Sequence, residues 1–279
     1  MREISAERIM EVVRQLCIDA NRHLPQDMKN CIEACRERED WAQAGEILDR
    51  IMENYRIAED GGQPICQDTG LACVFLKIGQ DVHVDGDIAR AVDEGVRQGY
   101  GQGYLRKSVV RDPLDRVNTG DNTPAMLYYE IVPGDKLEIT VAPKGFGSEN
   151  MTKLKMFNPS VSQEQVEDFI VDCVSQAGSN PCPPVVVGVG LGGTSEAAAL
   201  LAKRALLRPA GERHPDPFYA AMEGRILERA NRLGIGPQGL GGRTTALSAA
   251  ILTQGTHIAG LPCAVNLGCH VTRHAHAAL

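Results

Sequence analysis

Apolar positions in residues 1–58 recur at helical spacing. Ile9, Val12, Val13, Leu16 and Ala20 share one face, with Ser5 placed as N-cap. A second helical segment groups Ile32, Ala34 and Cys35, and a third runs from Asp40 as cap through Ile47, Leu48, Ile51 and Tyr55. Cys31 and Cys35, one helical turn apart, read as small apolar residues on a packing face rather than as ligands. Gly61-Gly62 closes this region, and the pattern changes.

Leu71–Ile78 then predicts a strand and Asp87–Gln98 a helix. Ala125–Val132 and Lys136–Val141 are β-rich runs joined by Pro133-Gly134-Asp135, a hairpin expectation. Ser162-Gln163-Glu164-Gln165 is a capping box opening a helix to about Ser175, with Cys173 on its core face. Beyond it the pattern predicts a strand at Pro184–Val189 and helices at Ser195–Leu207, Pro217–Arg232 and Thr244–Ile251, then a strand at Pro262–Val265. The expected fold class is mixed α/β (α+β): a helical N-terminal region, then two α/β lobes, roughly 1–160 and 161–279, with a metal site between them.

Composition narrows the function classes. With 279 residues, 43% of them hydrophobic, the chain can bury a sizeable core as a single domain. No run approaches the length of a membrane span, and residues 1–8 lack the apolar core of an export signal, so a cytoplasmic protein is expected. A formal net charge of −7 without a basic run argues against nucleic acid or an anionic membrane as partner. Nine cysteines, an odd number, fit reduced thiols or metal ligands better than a disulfide framework.

Three of those cysteines stand in Gly/Pro-rich turns beside polar residues: Pro64-Ile-Cys66-Gln-Asp-Thr-Gly70, Asn180-Pro-Cys182-Pro-Pro184 and Asn266-Leu-Gly-Cys269-His270. Turns expose thiolates that an apolar helix would hide. Their wide separation in sequence excludes a local zinc knuckle and calls for a site assembled by folding. Three soft ligands leave a metal centre one open position, which a Lewis-acid catalyst needs. Cys263, among apolar neighbours, is the rival ligand and reads as buried.

Other segments add polar groups. Gly188-Val-Gly190-Leu-Gly-Gly193 formally matches a dinucleotide fingerprint, but no acidic strand end follows at the required distance. Two uses stay open for it: backbone amides facing an anion or cluster sulfide, or a tight strand-to-helix turn. Gly145–Lys153 packs glycines, Glu149, Asn150 and Lys153 into one loop suited to a small dicarboxylate or simply to solvent. Arg106 and Arg111 precede the polar run Asn118–Pro124, and an arginine there can grip a carboxylate or form a surface salt bridge. His257 sits in a Gly-Thr-His-Ile loop, and His270, Arg273, His274 and His276 crowd the end of the chain.

Together, Pro64–Gly70, Gly147-Ser-Glu-Asn150, Cys182–Gly190, Ile235–Thr245 and His257 through His270 resemble the α-subunit of class I, iron–sulfur-dependent fumarate hydratase, over nearly the whole chain and in the same order. The related L-tartrate dehydratase α-subunit shares Cys-Gln-Asp-Thr-Gly and Cys-Pro-Pro, whereas Gly-Ser-Glu-Asn and Leu-Gly-Gly-Arg-Thr-Thr look more like fumarase. The resemblance implies a 4Fe-4S cluster on Cys66, Cys182 and Cys269, with the fourth iron open to substrate. It implies that Gln67 and Asp68 line the cluster mouth, Asp68 as acid/base or hydroxyl-orienting group. Arg106 would contact a substrate carboxylate, Gly147 would offer backbone, and His257 would orient the substrate. Asp68 has a competing use as the cap of its own turn.

Because single-chain members continue well past the third cysteine, the resemblance further implies a separate β-subunit, in an α2β2 assembly that shares the active site. The implied reaction is reversible hydration of fumarate to L-malate, with tartrate or mesaconate chemistry as the alternative. Two other function classes remain in view: an NAD-linked oxidoreductase resting on Gly188–Gly193, and a non-catalytic metal-binding protein.

Overall fold

A computed structural model describes residues Met1–Leu279. Its elements in chain order are β1 (Arg2–Ser5), α1 (Ala6–Arg22), α2 (Gln26–Arg38), α3 (Ala42–Gly61), β2 (Leu71–Gly79), β3 (Val82–Asp85) and α4 (Ile88–Gln102). There follow β4 (Met126–Val132), β5 (Leu137–Lys144), the single turn α5 (Phe146–Glu149), β6 (Lys153–Phe157), α6 (Gln163–Ala177) and β7 (Val185–Gly192). The chain ends with α7 (Ser195–Ala205), α8 (Pro217–Asn231), β8 (Ala246–Gln254), β9 (Leu261–Gly268) and β10 (Ala275–Ala278). No helix is long and apolar enough to cross a membrane.

Two compact units interleave along the sequence. The first comprises Met1–Pro25, Tyr55–Phe146 and Arg273–Leu279, the second Gln26–Asn54 and Gly147–Thr272, so α3 runs from one to the other. In the first unit a sheet of order β10-β5-β2-β4 is packed by α1 and α4 around Ile9, Val13, Leu16, Val74, Leu76, Val96 and Ile139. Ser5 caps α1, its hydroxyl accepting from Arg8 N at 3.2 Å, and the face expected from periodicity is the buried one. In the second unit a sheet of order β6-β9-β7-β8 is packed by α6 and α8 around Val187, Val189, Ile170, Ile226 and Ile251. The Ser162 capping box forms as expected, and Asp87 caps α4.

Several expectations are corrected. Pro133-Gly134-Asp135 does not close a hairpin, because β2 lies between β4 and β5, parallel to one and antiparallel to the other. The end of β2 is hydrogen-bonded to that turn: Gly79 N donates to Lys136 O at 2.9 Å and Gln80 N to Val132 O at 2.8 Å. Thr244–Ile251 is not helical but forms most of β8. Its Ala/Leu-rich run is buried from Ala246 to Ile251, and a continuously buried segment has no period to tell strand from helix. In α2, Met28, Ile32 and Cys35 face inward while Ala34 is exposed. Asp40 does not cap α3, which starts two residues later; its carboxylate pairs with Arg243 at 2.5 Å.

The glycines of Gly188–Gly193 serve packing. A Cβ on Gly188 would stand 2.3 Å from Ala202 O, and one on Gly190 would stand 2.0 Å from Ala198 O. Their bare backbone lets α7 lie directly on β7. The next strand, β8, ends in Leu252-Thr253-Gln254 and offers no acid for a ribose. Gly190→Ala should therefore destabilise the protein by on the order of 3 kcal/mol in urea unfolding. Gly101→Ala, on α4 with nothing within 4 Å of its added carbon, should be neutral or slightly stabilising. Equal midpoints for the two variants would contradict this packing.

The cysteines separate by environment. Cys17, Cys173 and Cys263 are buried in the two cores, where desolvation raises each thiol, Cys173 and Cys263 to about 12. Cys182 is exposed, and Cys66 and Cys269 are half-buried. Maleimide labelling of the folded, metal-free chain, mapped by mass spectrometry, should modify Cys182 first and reach Cys17, Cys173 and Cys263 only on unfolding. Labelling of Cys263 as fast as Cys182 would refute that order.

Candidate metal centre

In the first unit, the turn bearing Cys66 is built between α3 and β2. Ile65 N donates to Asn21 O at 2.9 Å, which fixes the approach to Cys66. Asp68 turns back on the chain: Oδ1 accepts Gly70 N–H and Oδ2 accepts Phe146 N–H, both at 3.0 Å. The capping use foreseen for Asp68 is thus real. Each carboxylate oxygen nevertheless keeps a further lone pair.

Three buried side chains lock the turn from beneath. The Tyr100 hydroxyl donates to Thr69 O at 2.7 Å, Asn122 Nδ2 donates to Gly70 O at 3.2 Å, and Arg273 Nη2 donates to Asp68 O at 2.6 Å. Arg273 also holds Asn21 through Nε at 3.2 Å. Gly70 allows the tight passage into β2: it has φ +74° and lies against the Lys144 backbone. Arg106 belongs to the same cluster, because its carbonyl accepts the Thr69 hydroxyl at 3.1 Å while its side chain is exposed. Cys66, Gln67, Asp68 and Arg106 are therefore neighbours on one anchored loop pair. Tyr100 and Asn122 were not foreseen, since an apolar helix face hides the first and a polar loop the second.

In the second unit, β7 and β9 run antiparallel with Val186 opposite Gly268, so the residues just before β7 and just after β9 meet at one end of the sheet. Those residues bear Cys182 and Cys269. His270 joins them: its backbone N donates to Cys182 O at 3.3 Å, and its Nδ1 lies 2.9 Å from the same oxygen. Gln238, from the Ile235–Thr245 segment, grips the next carbonyl, donating to Pro183 O through its backbone N at 2.7 Å and Nε2 at 3.0 Å.

Gly147 lies beside this end, where an added Cβ would be 3.2 Å from Asn180 O, two residues before Cys182. Glu149 ties that loop inward by an ion pair with Lys203 at 2.5 Å and by accepting Asn266 Nδ2 at 2.9 Å. Lys203 and Asn266 were missed as well. They sit in an ordinary helix and strand, and only the fold reveals what they face.

His257 does not join the cysteines of its unit. It follows β8, where the Thr256 hydroxyl donates to Gly193 O at 2.9 Å, at the far end of β7 from Cys182. Eight residues of β7 put more than about 20 Å between the two places. His257 is exposed, and its Nδ1 accepts the N–H of Ala259 at 3.1 Å. At the chain end, His276 lies on β10 with Nδ1 3.1 Å from the Thr140 hydroxyl.

No group of three or more His, Cys, Asp or Glu side chains is gathered tightly enough to hold a single metal ion. A polynuclear cluster makes a different demand, because thiolates bound to separate irons stand farther apart than ligands sharing one ion. The donor set of soft thiols on constrained turns fits that second case.

Comparison with known proteins agrees with the pattern of motifs. Residues 10–278 match the family model described as fumarate hydratase (Fumerase). The chain is 42% identical over 275 residues to a putative L(+)-tartrate dehydratase subunit alpha of Methanocaldococcus jannaschii, covering 96% of each chain. It is 33% identical over 273 residues to the L(+)-tartrate dehydratase subunit alpha of Escherichia coli K12, covering 96% of this chain and 90% of that one. With its motifs in order and matched along almost its entire length, the chain belongs to the fumarate hydratase (Fumerase) family of hydro-lyases.

Proposed function

We propose that this chain is the α-subunit of a two-subunit 4Fe-4S hydro-lyase that reversibly removes water from a small 2-hydroxy dicarboxylate. The observation that supports it most is the joining of the Cys182 and Cys269 turns through His270, in a chain of a hydro-lyase family. In this reading the whole chain works as one subunit, and the thiolates of Cys66, Cys182 and Cys269 hold the cluster. When bound, the cluster supplies an open iron as Lewis acid for the substrate hydroxyl and one carboxylate.

Asp68 is the candidate base. Two backbone N–H groups fix its carboxylate and leave lone pairs to take the proton from the carbon beside the one bearing the hydroxyl, or to orient the departing hydroxyl. Arg106, anchored through its carbonyl next to Asp68, presents a planar fork to a substrate carboxylate, where negative charge grows as the proton leaves. Gln67 is exposed on the same turn and adds an amide, and Gly147 offers backbone beside Cys182. Within the second unit His257 stands at the opposite end of β7 from Cys182 and Cys269, so its expected part in orienting the substrate is not drawn from that pair of turns. A β-subunit, in an α2β2 assembly, supplies the remaining cations; "subunit alpha" in the relatives' names supports such a partner.

For the substrate, the relatives' names favour L(+)-tartrate, while Gly147–Asn150 and Leu240–Thr245 favour malate and fumarate. Discrimination rests on one hydroxyl, for which a pocket built to hydrogen-bond it selects strongly. Anaerobic assembly with the β-subunit, followed by assays on malate, fumarate, tartrate and mesaconate, decides between them. Replacing Cys66, Cys182 or Cys269 by Ala should abolish iron and sulfide retention, whereas Cys263→Ala should keep both. Asp68→Asn should lower kcat by about 100-fold or more with the cluster intact. Equal cluster loss in Cys263→Ala, or saturable NAD binding with no hydro-lyase activity, would overturn the reading. Prolonged aeration should also remove activity, as an exposed iron corner is open to oxidation.

A further inference from the structure

We propose that His270 is a positioning residue, a clamp that sets Cys182 and Cys269 relative to each other before any metal arrives. The inference builds on the reading of these two thiols as cluster ligands, though its first test is independent of that reading. The Cys182 carbonyl accepts both the backbone N–H and the side chain of His270. Since the partner at 2.9 Å is a carbonyl, Nδ1 is the nitrogen that bears the proton. Gln238 Nε2, 3.2 Å from that nitrogen, donates instead to Pro183 O. Two consecutive carbonyls are thus turned inward and doubly held, while the Cys182 residue remains exposed.

Restraint of this kind is needed at Cys182. Its φ of +53° is a left-handed conformation that costs an L-residue on the order of 1 kcal/mol, so the backbone adopts it only where neighbours impose it. On the other side, His270 directly follows Cys269, whose carbonyl accepts Thr272 N at 3.0 Å and the Thr272 hydroxyl at 2.8 Å. That closed turn leaves His270 little freedom to move without Cys269. One imidazole therefore couples the backbones of two thiols that are far apart in sequence, and preorganisation of this sort raises metal retention.

The test compares His270→Leu with His270→Asn, whose amide N–H replaces the one lost. In the metal-free full chain, a short bifunctional maleimide should link Cys182 to Cys269, read by mass spectrometry. Leu should cut that yield several-fold and Asn should restore most of it. After anaerobic loading with iron and sulfide, chelator bleaching of the visible chromophore should be about ten-fold faster for Leu and near the parent rate for Asn. If Leu prevents folding, His270→Ala replaces it, with the same direction expected in cross-linking and bleaching. Parent-like cross-linking in a folded His270→Leu or His270→Ala chain would overturn the clamp. A parent chain that cross-links as expected yet takes up no cluster would leave the clamp standing and refute the cluster reading alone.

Discussion

One carbonyl oxygen, that of Cys182, joins the features that give the second unit its chemical character. It accepts from His270 twice, and the adjacent carbonyl of Pro183 accepts from Gln238 twice. The Cys-Pro-Pro, Gly-Pro-Gln-Gly and Cys-His segments thereby become one hydrogen-bonded structure. That contact depends in turn on antiparallel pairing of β7 with β9, which brings the start of one strand beside the end of the other. The pairing depends on Gly188 and Gly190, whose missing side chains let α7 seal the sheet.

The first unit meets a similar demand by other means. Its cysteine turn is short, polar and bent through Gly70, so it cannot be held by apolar packing. Hydrogen bonds from buried groups hold it instead: Tyr100 and Asn122 on the carbonyls of Thr69 and Gly70, and Arg273 on that of Asp68. An arginine only 4% exposed is costly to bury unless its donors find acceptors, and here Nε and Nη2 donate to Asn21 Oδ1 and Asp68 O. Here it fixes the backbone of Asp68, which holds the proposed base in a constant position.

Elements with a clear period or a cap were legible in the sequence. α1 follows from its apolar face and Ser5, α6 from the Ser162 capping box, and the helix expected over Asp87–Gln98 is α4. β8 was not legible, because a run buried on both faces has no alternation to read. Neither was the strand order of the first sheet: Pro133-Gly134-Asp135 has the composition of a hairpin turn, and only the insertion of β2 shows otherwise. The polar turns bearing Cys66, Cys182 and Cys269 stood out for their composition, and Arg106 proved to adjoin Asp68 through Thr69. His257, chosen with them, lies at the other end of β7 from Cys182, a placement set by strand direction rather than by local sequence. Tyr100, Asn122, Lys203 and Asn266 give no sign in the sequence of what they hold.

The central claim is that these cysteine turns present an iron–sulfur cluster with one iron open to substrate. Mössbauer spectroscopy of the assembled enzyme loaded with iron-57 tests it most directly. The account predicts one iron site in four distinct from the rest, with parameters that shift alone when the hydroxy acid is added. Four equivalent irons unmoved by substrate, or no bound iron in an active enzyme, would contradict it.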